Sequence, residues 1–368
     1  MKKLISVLMV LVIVLGMVSG CGNEAASVEA EASRQSAAAS VVEGSGAVPE
    51  IPAEDAESEV EETAYEAVDI RVAAIKGPTG IGMVKLMDDA AQGKTANNYE
   101  FSLIGEAAEV VTKTIAGEFD IACMPTNSAS IIYQKTQGAV KLLALNTAGV
   151  LYLMQNTSEE PAITDWADLK GRTIYCLGQG ANPEYVLDFV LSGHGIDPDQ
   201  DVEIVFCTAA DEIIAACASG ECDICMLPEP AKTTMMAKVE GFEQIFDMTE
   251  GWDEVVTDGS MLTMGCVVVQ TAFLEEHPEA VKKFLEEYEA SVSFVESSPE
   301  EAVPMIVAHE IVPSEAVAKA ALPGCHILFK SGQEMIDAVS GYYQVLFDAD
   351  PTAVGGAVPD ENFYYVAE

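Results

Sequence analysis

Gly117-Glu118-Phe119-Asp120-Ile121-Ala122-Cys123-Met124-Pro125-Thr126-Asn127 returns further along the chain as Gly220-Glu221-Cys222-Asp223-Ile224-Cys225-Met226-Leu227-Pro228-Glu229-Pro230. Each copy reads as a glycine turn, an acidic residue, a short apolar strand and a proline in the first turn of a helix. Proline fits there because that N–H has no partner inside a helix. Two copies at matched places imply a duplicated architecture.

The flanking sequence follows the same plan twice. In the first unit Ile70 to Ile75 reads as a strand, Lys76-Gly77-Pro78-Thr79-Gly80 as a turn, and Met83 to Met87 as helix. Tyr99 to Ile104 is a second strand, Glu106 to Ala116 a helix, and Val140 to Asn146 a fourth strand. In the second unit Thr173 to Leu177 is a strand and Gly178-Gln179-Gly180-Ala181-Asn182-Pro183 its turn. Glu184 to Ser192 reads as helix, Val202 to Phe206 as strand, and Ala209 to Ala218 as helix. Gly77 to Gly117 spans 40 positions and Gly178 to Gly220 spans 42. Such alternation predicts an α/β lobe with a largely parallel sheet in each unit. Val150 to Gln155 and Met264 to Gln270 are extended and apolar, and are expected to cross between the lobes. After Gln270 the chain turns helical, with Val281, Phe284, Leu285, Tyr288, Val292 and Val295 on one face.

The 368 residues suffice for two domains, and 49% hydrophobic residues can build their cores. A formal net charge of -42 argues against nucleic acid and against an anionic membrane surface as partners. The N-terminus reads as an export signal over residues 1–20. Lys2 and Lys3 precede an apolar run from Leu4 to Val18, which is too short to span a bilayer. Residues 21–66 are rich in Ala, Glu, Ser, Gly and Pro and are expected to be a disordered acidic tether. No later stretch is long and apolar enough to span a membrane.

Val18-Ser19-Gly20-Cys21 resembles a bacterial lipobox, in which the cysteine is acylated; this implies a lipid anchor at Cys21. From Asp69 onward the chain resembles the solute-binding proteins of bacterial ABC importers. The nearest branch is that for nitrate, alkanesulfonates, taurine and thiamine-type pyrimidines. The likeness rests on the lipobox, the paired Gly-Glu-x-Asp stretches, Met264 to Gln270, and the run Thr271-Ala272-Phe273-Leu274-Glu275-Glu276-His277-Pro278-Glu279 leading into a long helix. It implies an α/β periplasmic-binding-protein type II fold with two lobes, two crossover connections and a ligand cleft. Lobe 1 would hold 67–150 plus 265–368, and lobe 2 would hold 151–264. The protein would act without catalysis or cofactor. As a lipid-anchored monomer on the extracytoplasmic face, it would close on a small molecule and deliver it to an ABC permease. Two alternatives share the fold: a sensory lipoprotein, and an enzyme like those of pyrimidine synthesis. The enzyme's relatives are intracellular, so the export signal tells against it.

Ligands of open α/β sheets sit beyond the carboxyl ends of the strands. Four turns qualify, and their residues Lys76, Thr79, Gly80, Thr126, Asn127, Ser128, Gly178, Gln179, Gly180, Asn182 and Glu229 are the candidate ligand contacts. Arginine occurs only at Arg34, Arg71 and Arg172, none at a cleft turn, so no guanidinium clamp for an anion is expected. Trp252, Tyr152 and Tyr185 are candidate platforms for a heteroaromatic ligand. Gly77-Pro78-Thr79-Gly80-Ile81-Gly82 does not fit the dinucleotide fingerprint. Eight cysteines follow Cys21, mostly inside apolar runs, and read as core residues. Cys222-Asp223-Ile224-Cys225 has metal-ligand spacing. Ile224 and Cys225 read as part of the strand of the second copy, however, where side chains alternate, so Cys222 and Cys225 are expected to face opposite ways, and no second pair or nearby histidine completes four ligands. No metal site is therefore expected. His194, His277, His309 and His326 show no nucleophile pattern beside them.

Overall fold

The computed structural model describes residues 65–158 and 161–367. The stretch read as an export signal, Cys21 and the expected tether up to residue 64 lie outside the described residues. Eleven strands are described: β1 (Asp69–Ile75), β2 (Asn98–Ile104), β3 (Ile121–Pro125), β4 (Val140–Ala148), β5 (Leu151–Asn156), β6 (Thr173–Leu177), β7 (Glu203–Cys207), β8 (Ile224–Pro228), β9 (Phe242–Asp247), β10 (Thr263–Gln270) and β11 (Ile327–Ser331). They form a six-stranded sheet ordered β11-β4-β10-β3-β1-β2 and a five-stranded sheet ordered β7-β6-β8-β5-β9.

Without β11 the two sheets have one topology. In each, the first strand lies between the second and the third, and a strand from elsewhere in the chain is inserted before the fourth. The inserted strands are β10 and β5, the two stretches expected to cross between lobes. Each runs antiparallel to the strand of a repeated stretch. Gly265 to Val269 pairs with Pro125 to Ile121, and Leu151 to Gln155 pairs with Pro228 to Ile224. The pairing β1 with β2, β1 with β3 and β6 with β7 is parallel. The sheets are thus mixed rather than parallel throughout, because the crossing strand enters each from the other end. The chain passes from the first sheet to the second between Ala148 and Leu151, and returns between β9 and β10.

β3 and β8 are buried along four of their five residues, as expected for a strand covered on both faces. Gly117 and Gly220 precede them in the left-handed region, at φ 73° and 76°. A side chain there would be strained, so glycine is the residue that turns the chain from helix into strand. The prolines differ from expectation. Pro125 ends β3 in an extended conformation (ψ 138°) and caps the helix Thr126–Thr136 instead of entering its first turn; Pro230 likewise caps Ala231–Lys238.

The helix Pro278–Ser297 lays Val281, Phe284, Tyr288, Val292 and Val295 on the first sheet, while Leu285 is only half-buried. A second long helix, Gly332–Ala349, reaches both sheets. Its Tyr343 hydroxyl donates to the Thr126 carbonyl (3.0 Å), and Tyr342 donates to Asn182 Oδ1 (2.9 Å).

Candidate functional site

The carboxyl ends of β1, β3, β4, β6 and β8 carry a seam of buried polar side chains. Thr126, Asn146, Thr147, Asn182, Glu229 and Thr263 all lie within it at 5% exposure or less. Apolar strands bring them there, so each must find a partner in place of water.

The first group gathers where β1 and β4 end. Asn146 Nδ2 donates to the Thr79 carbonyl (3.3 Å) and to the Tyr288 hydroxyl (3.0 Å), and Thr147 Oγ1 donates to Asn146 Oδ1 (3.0 Å). Gly265 permits this closeness. A Cβ on it would lie 2.4 Å from Thr79 Cγ2 and 2.5 Å from Asn146 Oδ1. Gly80 is similarly tight, since its Cβ would lie 2.7 Å from the Ile75 carbonyl oxygen. Burial holds the phenols of Tyr288 and Tyr343 well above the usual tyrosine range, so both stay neutral.

A second group joins Thr126 Oγ1 to Thr263 Oγ1 at 2.9 Å. A third centres on Asn182, whose Nδ2 lies 3.0 Å from Met264 Sδ while its Oδ1 accepts from Tyr342. The fourth is ionic. Glu229 Oε1 lies 2.8 Å from Lys232 Nζ and accepts from Thr233 Oγ1 (3.0 Å), while Oε2 accepts from the Thr233 N–H (3.2 Å). Lys232 Nζ also stands 3.7 Å over the Tyr152 ring. Tyr152 in turn donates to the Gly324 carbonyl (2.8 Å), which precedes β11.

Of the candidate contacts, Thr126, Asn182 and Glu229 therefore spend their polar groups inside the protein. Thr79 Oγ1 donates to its own turn at the Ile75 carbonyl (3.3 Å), and Asn127 Nδ2 reaches the Ala353 carbonyl at 3.5 Å. Ser128 is half-buried beside them. Lys76 sits half-buried at the rim, 3.7 Å from the exposed Glu310. Gly178 and Gly180 take positive φ, 78° and 69°, in a turn that leaves Gln179 and Gly180 exposed; the Gly180 N–H donates to Glu184. The aromatic platforms are not free faces. Trp252 is fully buried with Nε1 donating to the Ser260 carbonyl (3.0 Å), and Tyr185 is buried with its hydroxyl on Asp350.

Sequence reading missed Asn146, Thr147, Thr263, Lys232, Tyr288 and Tyr342. Asn146 and Thr147 had a signal, since polar residues ending an apolar strand stand where loops meet ligands. The Thr249 hydroxyl, beside Gly149 where the chain passes between sheets, finds no hydrogen-bond partner among the described residues.

One reading of the cysteines is corrected. Cys222 and Cys225 do not face opposite ways: their sulfurs and that of Cys217 lie within 4.8 Å of one another. Strand alternation does not apply, because β8 begins only at Ile224 and Cys222 lies in the turn before it. Among the described residues no helix is long and apolar enough to cross a membrane.

Two lobes of this topology, joined by two crossings and lined where they meet by polar groups, define the periplasmic-binding-protein fold. The chain belongs to the NMT1/THI5-like family, whose sequence profile matches residues 102–302. An ABC transporter structure from Parabacteroides distasonis is similar at TM-score 0.67 and 22% identity, covering 82% of this chain and 99% of that one. The periplasmic aliphatic sulphonate binding protein SsuA from Escherichia coli is similar at TM-score 0.64 and 13% identity, over 82% of this chain and 94% of that one. A Bacillus subtilis (strain 168) relative, named "Putative binding protein YtlA", is 29% identical over 126 residues. That match spans 33% of this chain and only 36% of the relative's length.

Proposed function

We propose that the chain is a lipid-anchored extracytoplasmic solute-binding protein that closes two lobes on a small molecule and delivers it to an ABC permease. The observation that carries this reading is the polar seam at the carboxyl ends of two sheets of one topology, the place where open α/β sheets hold ligands. The printed names of the structural neighbours and of the Bacillus relative point the same way. Lobe 1 is assigned to 67–150 plus 265–368 and lobe 2 to 151–264, a division that follows the two sheets except that β10 of the first sheet begins at Thr263. Lys76, Asn127, Ser128, Gln179 and the backbone of Gly178 and Gly180 are the groups that meet the solute. Thr126, Asn182 and Glu229 position the walls. Closure follows if contacts in both lobes favour the closed state over the open one.

A thermal-shift screen of the chain against sulfonates, nitrate, pyrimidines, amines and heteroaromatic compounds tests the reading. At a hundredfold excess over Kd, a true solute adds roughly 2.7 kcal/mol. Gln179→Ala should then weaken binding without lowering the stability of the free protein. A screen with no hit, together with unchanged growth of a Gln179→Ala strain on any candidate nutrient, would sink the reading. Separately, Cys21→Ala should release the protein from membranes into the soluble fraction.

A further inference from the structure

Cys217, Cys222 and Cys225 converge from three different local structures. Cys217 lies on the inner face of the helix Ala210–Ser219, one turn after Ile213 and Ile214. Gly220 then reverses the chain, and the Cys222 N–H donates to the Ala216 carbonyl (3.2 Å), which pins Cys222 beneath the last helical turn. Cys225 is the second residue of β8, paired in register with Tyr175 of β6. The three sulfurs lie within 4.8 Å of one another, and Cys217 Sγ stands 3.8 Å from Cys225 Sγ. All three residues are at most 4% exposed, among apolar neighbours such as Leu227 and Met235.

Three small hydrophobic side chains in a core need not point their sulfurs at one spot. The spacing is informative. A cation about 2.3 Å from each of two thiolates in tetrahedral geometry sets them about 3.8 Å apart. A disulfide would bring two sulfurs to about 2.05 Å and leave the third unused. A cavity of about 590 Å³ adjoins the entry to β8, lined among others by Arg172, Tyr175, Glu203, Glu221 and Asp223, and by none of the three cysteines. Glu221 and Asp223 flank Cys222 in sequence, and two carboxylates next to the cluster along the chain favour a cation over an anion.

We infer that Cys217, Cys222 and Cys225 form a binding site for one thiophilic d10 cation, of the class of Zn2+ or Cu+, held by three sulfur ligands. Soft thiolates select such ions over the hard cations that prefer oxygen. Each thiol that becomes a ligand releases its proton to solvent, so uptake strengthens as pH rises. The site is structural in character, clamping helix 210–219 to β8. It lies at the strand entry, the opposite end of β8 from the proposed cleft, and does not depend on the solute-binding reading.

The test uses the full chain, reduced and stripped of metal. Titrated against a chromophoric chelator, Zn2+ or Cu+ should bind one per chain with Kd below about 1 μM. Cd2+ should raise a thiolate-to-metal charge-transfer band whose intensity corresponds to three sulfurs. Cys217→Ser, Cys222→Ser and Cys225→Ser should each weaken Zn2+ binding about a hundredfold, while Cys176→Ser leaves it unchanged. Neither ion binding stoichiometrically to the reduced wild type overturns the inference. So does a cadmium band of fewer than three thiolates, a reading that needs no variant to fold. A protein that forms a Cys217–Cys225 disulfide in air, and takes up neither ion when reduced, overturns it as well.

Discussion

Asp120 and Asp223 occupy the same place in the two sheets, yet they are held differently. Asp120 faces Arg71. Its Oδ2 accepts from the Arg71 backbone N–H (2.8 Å) and Nε (3.0 Å), and Oδ1 accepts from a terminal guanidinium nitrogen (2.6 Å). Asp223 accepts a single long bond from Asn156 Nδ2 (3.3 Å), and beside it stand the three clustered thiols. The exits of the strands differ too. After β3 comes Thr126, bonded to Thr263; after β8 comes Glu229, paired with Lys232. The strand between is in each case five residues long, apolar, ended by proline and paired antiparallel to a strand that crosses from the other sheet. A duplicated sheet thus keeps what packs and varies what stands at its two ends, one end turned to the proposed cleft and the other to the lobe's own cohesion.

The largest expected effect lies at the second exit. Lys232→Ala leaves the Glu229 carboxylate buried with only Thr233 for company, and should cost about 3 kcal/mol in urea unfolding. The double variant Glu229→Gln, Lys232→Met should recover most of that loss. A single variant within about 0.5 kcal/mol of wild type would show that Glu229 reaches water, and the contrast between the two exits would fail. At the strand entries, Asp120→Ala should cost about 2 kcal/mol, because it removes charge-assisted bonds and strands the Arg71 amide. Asp223→Ala should cost about half as much, having one weak bond to lose. Equal losses in the two variants would erase the distinction between the entries.

The two-lobe plan was legible because it rests on short apolar runs punctuated by glycine, and those respond to local rules. The repeated Gly-Glu-x-Asp stretch carried both central strands, and the apolar stripe of helix 278–297 carried the cover of the first sheet. β9 escaped notice. Its Phe242-Glu243-Gln244-Ile245-Phe246-Asp247 is partly exposed, and its pattern has neither clean alternation nor a continuous apolar run. β11 escaped for the same reason, being mostly half-buried. The site was legible only as a set of turns. Which side chains are spent inside the wall is a matter of contacts between residues far apart in sequence, such as Thr126 with Thr263 or Asn182 with Tyr342, and no local pattern records those. The thiol cluster is not legible from strand alternation, because Cys222 lies two residues before β8 begins and does not obey it.

The smallest effect sharpens the comparison at the helices that follow β1 and β6. In the first lobe Asp89 is paired with Lys85, one turn earlier on its helix. In the second, Asp188 has no cation beside it among the described residues. Burial raises its proton affinity first, and the like charges of Glu184 and Asp199 add to this, bringing the pKa to about 6. An unfolded aspartate titrates near 3.9. The folded state therefore holds this proton more tightly than the unfolded state does. Its contribution favours folding at low pH, is lost as pH rises from about 4 to about 6, and stays lost above that. Asp188→Asn removes the titration. Because Asp188 is partly open to solvent, the gain at pH 7 should be below about 1 kcal/mol, and it should vanish near pH 4. Thermal unfolding of both proteins across that range measures it. A gain that persists at pH 4 would locate the effect in packing and not in charge, and the two helices would then differ in shape alone.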